Sequence, residues 1–296
     1  MSSTQTPTEP QTLPNPTTTL SNGATIPTLG FGLYQCSQSE TSLLIKSANV
    51  AGYTHYDSAS FYDNEKDVGH GIKELLGDGS RKRSDLFITS KVWNDKQKLG
   101  REGVRESVFR SIKELQCGYI DLFLVHWPVP NYHCSTYKYL EEMVATGEIK
   151  NLGISNYNIQ EYEQLLNSGI SIHPVVNQIE ISPLMYRKET ITYFQEKGIT
   201  MQAYKPLQRG GAISDVYIKE LAIKYQKSAA QILIRWCYQK GFVVLCKTSN
   251  GARMVENRDI FGFVIGEEDM NGLDLLTTDE AVVEREAHEL KRKVGL

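Results

Sequence analysis

The sequence has little cysteine, and its cysteines follow no pattern. The five thiols are scattered along 296 residues, are odd in number and include no CxxC pair. This usage is typical of reduced thiols and argues against a disulfide framework or a zinc site. We therefore expect a cytoplasmic protein that holds no metal.

Long runs of one kind of residue are also missing. No run of Lys and Arg is long enough to act as a basic patch and the formal net charge is −3, so no nucleic-acid partner is expected. No stretch approaches the ~20 apolar residues of a membrane span. Residues 1–19 are rich in Thr, Ser and Pro and contain no apolar or basic signal segment, which predicts a disordered tail. No apolar stripe indicates a subunit interface, so we expect a monomer.

A glycine-rich phosphate loop is the third absence. The first strand pattern ends in GFGLYQC, and neither GxGxxG nor GxxxxGK[ST] occurs anywhere in the chain. A doubly wound open sheet usually carries such a loop after its first strand. This competing fold is therefore disfavoured.

What the chain does contain is an alternation of short apolar strand patterns and amphipathic helix patterns. Eight strands are predicted at 29–33, 54–59, 86–92, 121–126, 152–156, 175–179, 200–206 and 242–247. Helices are predicted at 40–51, 65–76, 101–115, 135–146, 159–167, 188–197 and 214–239, with a final helix from about Ala252. The Asn22-Gly23 pair predicts a hairpin within 20–26. This order predicts an α/β fold over 20–296, a single (β/α)8 TIM barrel with an N-terminal β-hairpin plug. The variable C-terminal part ends in a charged, helix-like run at 278–294.

Ionisable and polar residues finish the strand patterns. Asp57, Lys91 and His126 each follow an apolar run, at almost equal intervals along the chain. Later strand ends carry Ser155, Asn156, Gln178, Tyr204 and Lys247. In a barrel these ends meet at one mouth. Polar residues at strand ends are ordinary when taken singly, but a buried acid, base and cation beside Tyr62 are costly and favour chemistry.

The first group of residues has a coherent chemical interpretation. A buried Lys91 needs a carboxylate partner, which Asp57 provides. A cation beside a phenol lowers its pKa from about 10, so we expect Lys91 to tune Tyr62 as a proton donor near neutral pH. Tyr62 can then give its proton to the oxygen of a carbonyl substrate. Neutral His126 can donate a hydrogen bond to the same oxygen and orient the substrate.

Taken together, these segments resemble the aldo-keto reductase family over roughly residues 20–265. GYTHYDSASFYDNEKDVG, SKVW and VHWP are similar to the segments that carry the family's catalytic tetrad, which implies that role for Asp57, Tyr62, Lys91 and His126. GEIKNLGISNYN, VVNQIEISPL and QAYKPL are similar to its cofactor-binding segments, which implies that role for Ser155, Asn156, Gln178, Tyr204 and Leu207. The resemblance implies NADPH-dependent reduction of an aldehyde or ketone to an alcohol, in a single catalytic domain.

The form of the cofactor follows from one further segment. KTSNGARMVEN resembles the family's adenosine-phosphate segment, which places Lys247, Thr248 and Arg253 at a 2′-phosphate and Glu256 and Asn257 near adenine. Two cations facing a dianion favour NADPH over NADH. The ordinary alternative is that Arg253 and Glu256 form an exposed i,i+3 pair on a helix.

Aromatic residues at motif positions are the candidates for the substrate pocket. They are Tyr34, Phe61, Trp93 and Trp127, and Tyr34 stands where the family commonly has Trp. Cys246 and Lys205 also depart from the usual Pro and Ser of the family. An aromatic pocket suits small-molecule substrates such as apolar or aromatic aldehydes and activated ketones.

Two other functions compete with carbonyl reduction. A cofactor-binding, redox-sensing or regulatory subunit with little turnover is the main alternative, although the complete tetrad argues against it. Alkene reduction is disfavoured because the relatives that perform it replace the His with Glu, and this chain retains His126.

Overall fold

Eight short parallel strands pair side by side into a closed barrel in the computed structural model, which describes residues 15–295. The barrel strands are β3 (Leu29–Gly32), β4 (His55–Asp57), β5 (Phe87–Val92), β6 (Ile120–Val125), β7 (Ile149–Ser155), β8 (Val176–Glu180), β9 (Thr200–Tyr204) and β10 (Val243–Cys246). They follow one another round the barrel in chain order, and β10 closes it by pairing with both β9 and β3. The predicted TIM barrel is confirmed.

Helices connect the strands and form the outer layer. The first six are α1 (Gln38–Val50), α2 (Glu65–Gly77), α3 (Asn94–Lys98), α4 (Gly100–Leu115), α5 (His133–Ala145) and α6 (Ile159–Asn167). The others are α7 (Lys188–Glu196), α8 (Val216–Tyr225), α9 (Ala229–Gln239), α10 (Gly251–Arg258), α11 (Glu267–Asp274) and α12 (Asp279–Val294). The short helices α3 and α11 were not predicted.

One predicted helix was wrong. The segment 214–239 is two helices, because Gln226 takes a left-handed conformation at φ 52° and ends α8. Ser228 then caps α9 by accepting a hydrogen bond from the Gln231 backbone N–H, and the Ser228 backbone N–H donates one to Gln231 Oε1. This capping box is visible in the sequence and marks a helix start inside the predicted run.

Period-two alternation along the strands sorts the side chains between barrel interior and outer layer. On β5, Ile88 and Val92 belong to the outer apolar cluster between strands and helices, while Phe87 belongs to a second cluster inside the barrel. Lys91 shares the inward face of Phe87. By the same alternation Leu122 and Leu124 point inward on β6, and His126 continues their face. The strands therefore deliver apolar groups to the bottom of the interior and ionisable groups to its mouth.

A small antiparallel hairpin closes the bottom of the barrel, as predicted. Strands β1 (Thr17–Thr19) and β2 (Thr25–Pro27) pair with Thr18 opposite Ile26. Leu20 and Ile26 are buried in the interior cluster that also contains Phe87. Of the predicted tail, residues 1–14 lie outside the described part, and Thr17–Thr19 belong to this hairpin. Within the described residues, no helix combines the length and the apolar character needed to cross a membrane.

Candidate active site

An ion pair on neighbouring strands is the centre of the barrel mouth. The Lys91 ammonium lies 2.8 Å from Asp57 Oδ1 and donates to the Ser58 carbonyl oxygen at 2.7 Å. Lys91 is fully buried, and Asp57 is nearly so. Burial is the first cause of a lowered Lys91 pKa, and the Asp57 charge opposes it. The predicted pairing of Lys91 with Asp57 is therefore present.

Tyr62 completes this group from the loop after β4. A single helical turn, Ser60–Tyr62, carries it over the ion pair, and the Lys91 ammonium donates to its hydroxyl at 3.1 Å. The predicted lowering of its pKa is wrong in this structure: burial, followed by the charge of Asp57, raises the Tyr62 pKa well above 10. Asp57 neutralises the cation that was expected to favour the phenolate. Tyr62 is thus a neutral phenol that can give a proton.

His126 lies beside the phenol as a neutral imidazole. Burial lowers its pKa well below 6.5, with smaller contributions from the charges of Lys91 and Arg292. Its Nδ1 has no hydrogen-bond partner among the described residues. A neutral ring at this position can donate from only one nitrogen, which fits the predicted orienting role.

Aromatic rings line the space in front of these groups. Phe61 and Trp93 stack with centroids 3.7 Å apart, and the Trp93 ring meets His126 edge-on at 4.9 Å. The Tyr34 ring lies 5.0 Å from that of Tyr62. The four predicted pocket residues, Tyr34, Phe61, Trp93 and Trp127, all face one cavity.

The predicted nicotinamide-holding residues form a connected network on β7, β8 and β9. Tyr204 Oη donates to Asn156 Oδ1 at 2.6 Å, and Ser155 Oγ donates to the Gln178 carbonyl oxygen at 2.7 Å. Gln178 Nε2 donates to Asp57 Oδ2 at 2.7 Å, which links this network to the tetrad. Gln178 lies inside β8 rather than at its end, which is Glu180. These side chains present amide and hydroxyl groups suited to a carboxamide.

The opposite side of the mouth carries the predicted phosphate site. Lys247 and Thr248 follow β10, and the N-terminus of α10 comes next, capped by the Asn250 side chain. Free backbone N–H groups and the positive end of the helix dipole favour an anion there. Arg253, Glu256 and Asn257 lie along α10 and face the cavity. The chemistry of this donor set fits a phosphorylated nucleotide.

One cavity of about 860 Å³ joins these parts. Every predicted site residue lines it except Lys91, which is buried behind Tyr62. The cavity also contains residues that the sequence did not indicate, including Gly32, Arg209, Ser228, Arg285, His288 and Arg292. Its size and its mixed aromatic and polar wall suit a large cofactor and a small substrate.

Helix α12 supplies the unpredicted wall. The Arg285 guanidinium lies 2.6 Å from Glu180 and donates to the hydroxyl of Tyr204. Glu289 pairs with Arg285 at 2.8 Å and with Arg187 at 3.0 Å, and Lys293 pairs with Glu161 at 2.8 Å. The sequence predicted this charged helix. It gave no sign that the spacing of Arg285, Glu289 and Lys293 places them on one buried face.

Comparison with known proteins gives concordant results. A family model described as the aldo/keto reductase family matches residues 28–277. A glyoxal reductase of Bacillus subtilis is 38% identical over 267 residues, 90% of this chain and 94% of the relative. A methylglyoxal reductase of Escherichia coli is 36% identical over 261 residues, 86% of this chain and 92% of the relative. The crystal structure of a Bombyx mori aldo-keto reductase in complex with NADP has a TM-score of 0.83 and 31% identity, covering 90% of this chain and 94% of that one.

Proposed function

The chain belongs to the aldo/keto reductase family, and we propose from this premise a role for each residue of the barrel mouth. The enzyme reduces aldehydes or ketones to alcohols, and its cofactor is NADP(H). The observation that carries the assignment of roles is the contact of the buried Lys91 ammonium with Tyr62 Oη at 3.1 Å and Asp57 Oδ1 at 2.8 Å. A regulatory subunit without turnover gains no support from this intact arrangement.

We propose that Tyr62 is the general acid. The cofactor, when bound, supplies a hydride to the carbonyl carbon. Tyr62 Oη gives its proton to the carbonyl oxygen, and the Lys91 ammonium stabilises the phenolate that is left. Because burial and Asp57 raise the Tyr62 pKa, the phenol is fully protonated at neutral pH before the reaction begins. Neutral His126 donates a hydrogen bond to the same oxygen and fixes the substrate's orientation.

Cofactor binding is assigned to the two ends of the cavity. Ser155, Asn156, Gln178 and Tyr204 would hold the nicotinamide end, with Leu207 in the loop that follows. Lys247, Thr248 and Arg253 would bind the 2′-phosphate, with Glu256 and Asn257 near the adenine. Two cations at a helix N-terminus favour a dianionic phosphate over a hydroxyl, so we propose that NADPH is preferred to NADH. Equal kcat/KM values for the two cofactors would contradict this.

The stacked rings of Phe61 and Trp93 support a substrate class. Flat apolar walls beside a single proton donor suit aromatic aldehydes and activated ketones. The relatives named glyoxal reductase and methylglyoxal reductase extend the proposal to α-dicarbonyls. Cofactor oxidation with benzaldehyde, methylglyoxal, an aldose and a simple ketone will rank these classes.

Tyr62→Phe tests the central assignment. The variant keeps the ring but loses the proton, so kcat should fall by about 10²–10⁴-fold. NADPH affinity, measured by quenching of protein fluorescence, should be unchanged. A variant with near-native kcat would refute Tyr62 as the acid.

Three further properties concern the domain, the oligomeric state and the cellular location of the enzyme. We propose that residues 20–296 act as one catalytic domain, that the enzyme is a monomer, and that it works in the cytoplasm. The five free thiols, most of them buried, support a reducing compartment. Light scattering after gel filtration and fractionation of the source cells will test the last two.

A further inference from the structure

The cavity is far more positive than the protein as a whole. The chain has a formal net charge of −3, yet six Lys and Arg side chains line the cavity against two carboxylates. Lys247 and Arg253 lie beyond β10, where the phosphate of the cofactor is proposed to bind. The other four cations of the cavity wall are not explained by that phosphate. What they can bind depends on which of them already pair with a carboxylate of the protein.

Most of the cations near the reacting groups are neutralised by the protein. Lys205 pairs with Glu180 at 2.9 Å, and Arg285 pairs with Glu180 and Glu289. Arg209 and Arg292 are different, because neither forms an ion pair with any residue in the described part of the chain, and of the two it is Arg292 whose guanidinium lies over the aromatic ring of Phe61. A guanidinium facing a cavity without a counter-ion is a site for an external anion.

Arg292 lies at the substrate end of the cavity rather than the phosphate end. Its Cζ is 6.0 Å from the centre of the Phe61 ring, which stacks on Trp93. Its charge also acts on the His126 ring, whose pKa it helps to lower. His126 follows β6, which lies four strands from β10 on the opposite side of the closed barrel. The cofactor's phosphates therefore do not account for Arg292.

The position of Arg292 is built into the fold. Its backbone carbonyl, one of those left unpaired by the end of α12, accepts a hydrogen bond from Asn94 Nδ2 at 2.7 Å. Asn94 comes directly after Trp93, so the last turn of α12 is held beside the aromatic wall. The buried pairs of Arg285, Glu289 and Lys293 hold the rest of the helix.

We propose that Arg292 is a specificity-determining residue that selects carbonyl substrates carrying a carboxylate at the end away from the reacting carbonyl. The substrate lies against Phe61 and Trp93, its carbonyl oxygen meets Tyr62 and His126, and its carboxylate pairs with Arg292. The inference rests on the proposed function and narrows its substrate class.

A matched pair of aldehydes tests it. The substrates are 4-carboxybenzaldehyde and methyl 4-formylbenzoate, which differ in charge and not in the reacting group. With NADPH saturating, the wild-type enzyme should have a lower KM for the carboxylate. Arg292→Gln should raise that KM about tenfold, with kcat and the kinetics of the ester little changed.

Two variants serve as controls. Lys291→Gln makes the same change of charge at the neighbouring exposed position and should leave both substrates unaffected. Arg292→Lys retains the charge but not the fork of donors, so it should recover part of the preference.

The outcomes separate this inference from the function on which it rests. Turnover of both aldehydes without a preference for the carboxylate, or an equal loss for both substrates in Arg292→Gln, overturns the role of Arg292 and leaves the reductase intact. Absence of NADPH-dependent turnover of either aldehyde overturns the proposed function and this inference with it.

Discussion

Buried ion pairs occur both on the barrel strands and on the C-terminal helix, but they are surrounded differently. The pair of Asp57 and Lys91 lies on adjacent strands above a filled apolar interior. On α12 the buried face is Arg285, Glu289 and Lys293, while Val283 and Leu290 are 65% and 61% exposed. Within the described chain, no side chain of α12 belongs to the apolar core. The usual amphipathic arrangement of a surface helix is therefore inverted.

The ion pair on the strands and the ion pairs of α12 differ in what happens to the remaining charge when one partner is removed. Asp57 and Lys91 cannot leave the barrel, so an unpaired partner stays buried and destabilises the whole fold. Helix α12 has no apolar anchor, so it can detach and let its charges reach water. We infer that the strand pair is part of the barrel's stability, whereas the α12 pairs set only the position of one wall of the active site.

Removing the strand cation should have the largest effect on stability. Lys91→Met leaves Asp57 buried with only the Gln178 amide as a partner, and leaves the Ser58 carbonyl without its donor. We expect the free energy of unfolding to fall by about 3–5 kcal/mol. We also expect kcat to drop, because nothing then stabilises the Tyr62 phenolate. Urea denaturation and steady-state kinetics measure the two effects.

A double variant separates charge from packing in this prediction. Asp57→Asn with Lys91→Met removes both charges, so it should recover part of the stability without recovering kcat. If Lys91→Met alone is as stable as the wild type, the pair of Asp57 and Lys91 is not part of the barrel's stability.

Glu65, a carboxyl group buried behind the strand pair, should make stability depend on pH. Its two oxygens accept hydrogen bonds from Ser90 Oγ at 2.6 Å and Ser111 Oγ at 2.8 Å, and burial raises its pKa to about 7. The folded state thus holds this proton more tightly than the unfolded state. The stabilisation is complete below the unfolded pKa near 4.5 and is lost as pH rises to about 7.

Glu65→Gln isolates this contribution. The difference in free energy of unfolding between wild type and variant should change by about 3 kcal/mol across that window, in favour of the variant at the higher pH. Urea denaturation at a series of pH values measures it. Parallel curves for the two proteins would show that Glu65 ionises normally.

The same contrast explains what could be predicted from the sequence. Asp57, Lys91 and His126 each end an apolar run, and strand alternation with barrel closure then fixes where they meet. Arg285, Glu289 and Lys293 repeat every four residues, which is equally typical of a solvated helix face. Their partners, Glu180, Arg187 and Glu161, lie on other elements far away in sequence. The burial of that face depends on tertiary packing that no local pattern contains.

Loosening α12 should have the smallest effect on the stability of the barrel, but a large effect on the helix itself. Glu289→Gln removes the carboxylate shared by Arg285 and Arg187. Once the helix detaches, its remaining charges and their partners on the barrel are in water, so no charge stays buried without a partner. Solvated ion pairs contribute up to about 1 kcal/mol each, so the free energy of unfolding of the barrel should change little. Amide hydrogen exchange over Asp279–Val294 should instead speed up strongly, while exchange in β5 stays unchanged. Glu284→Gln, an exposed change on the same helix, should do neither. If Glu289→Gln destabilises the barrel as much as Lys91→Met does, α12 is an integral part of the fold, and the two charge systems do not differ in the way we infer.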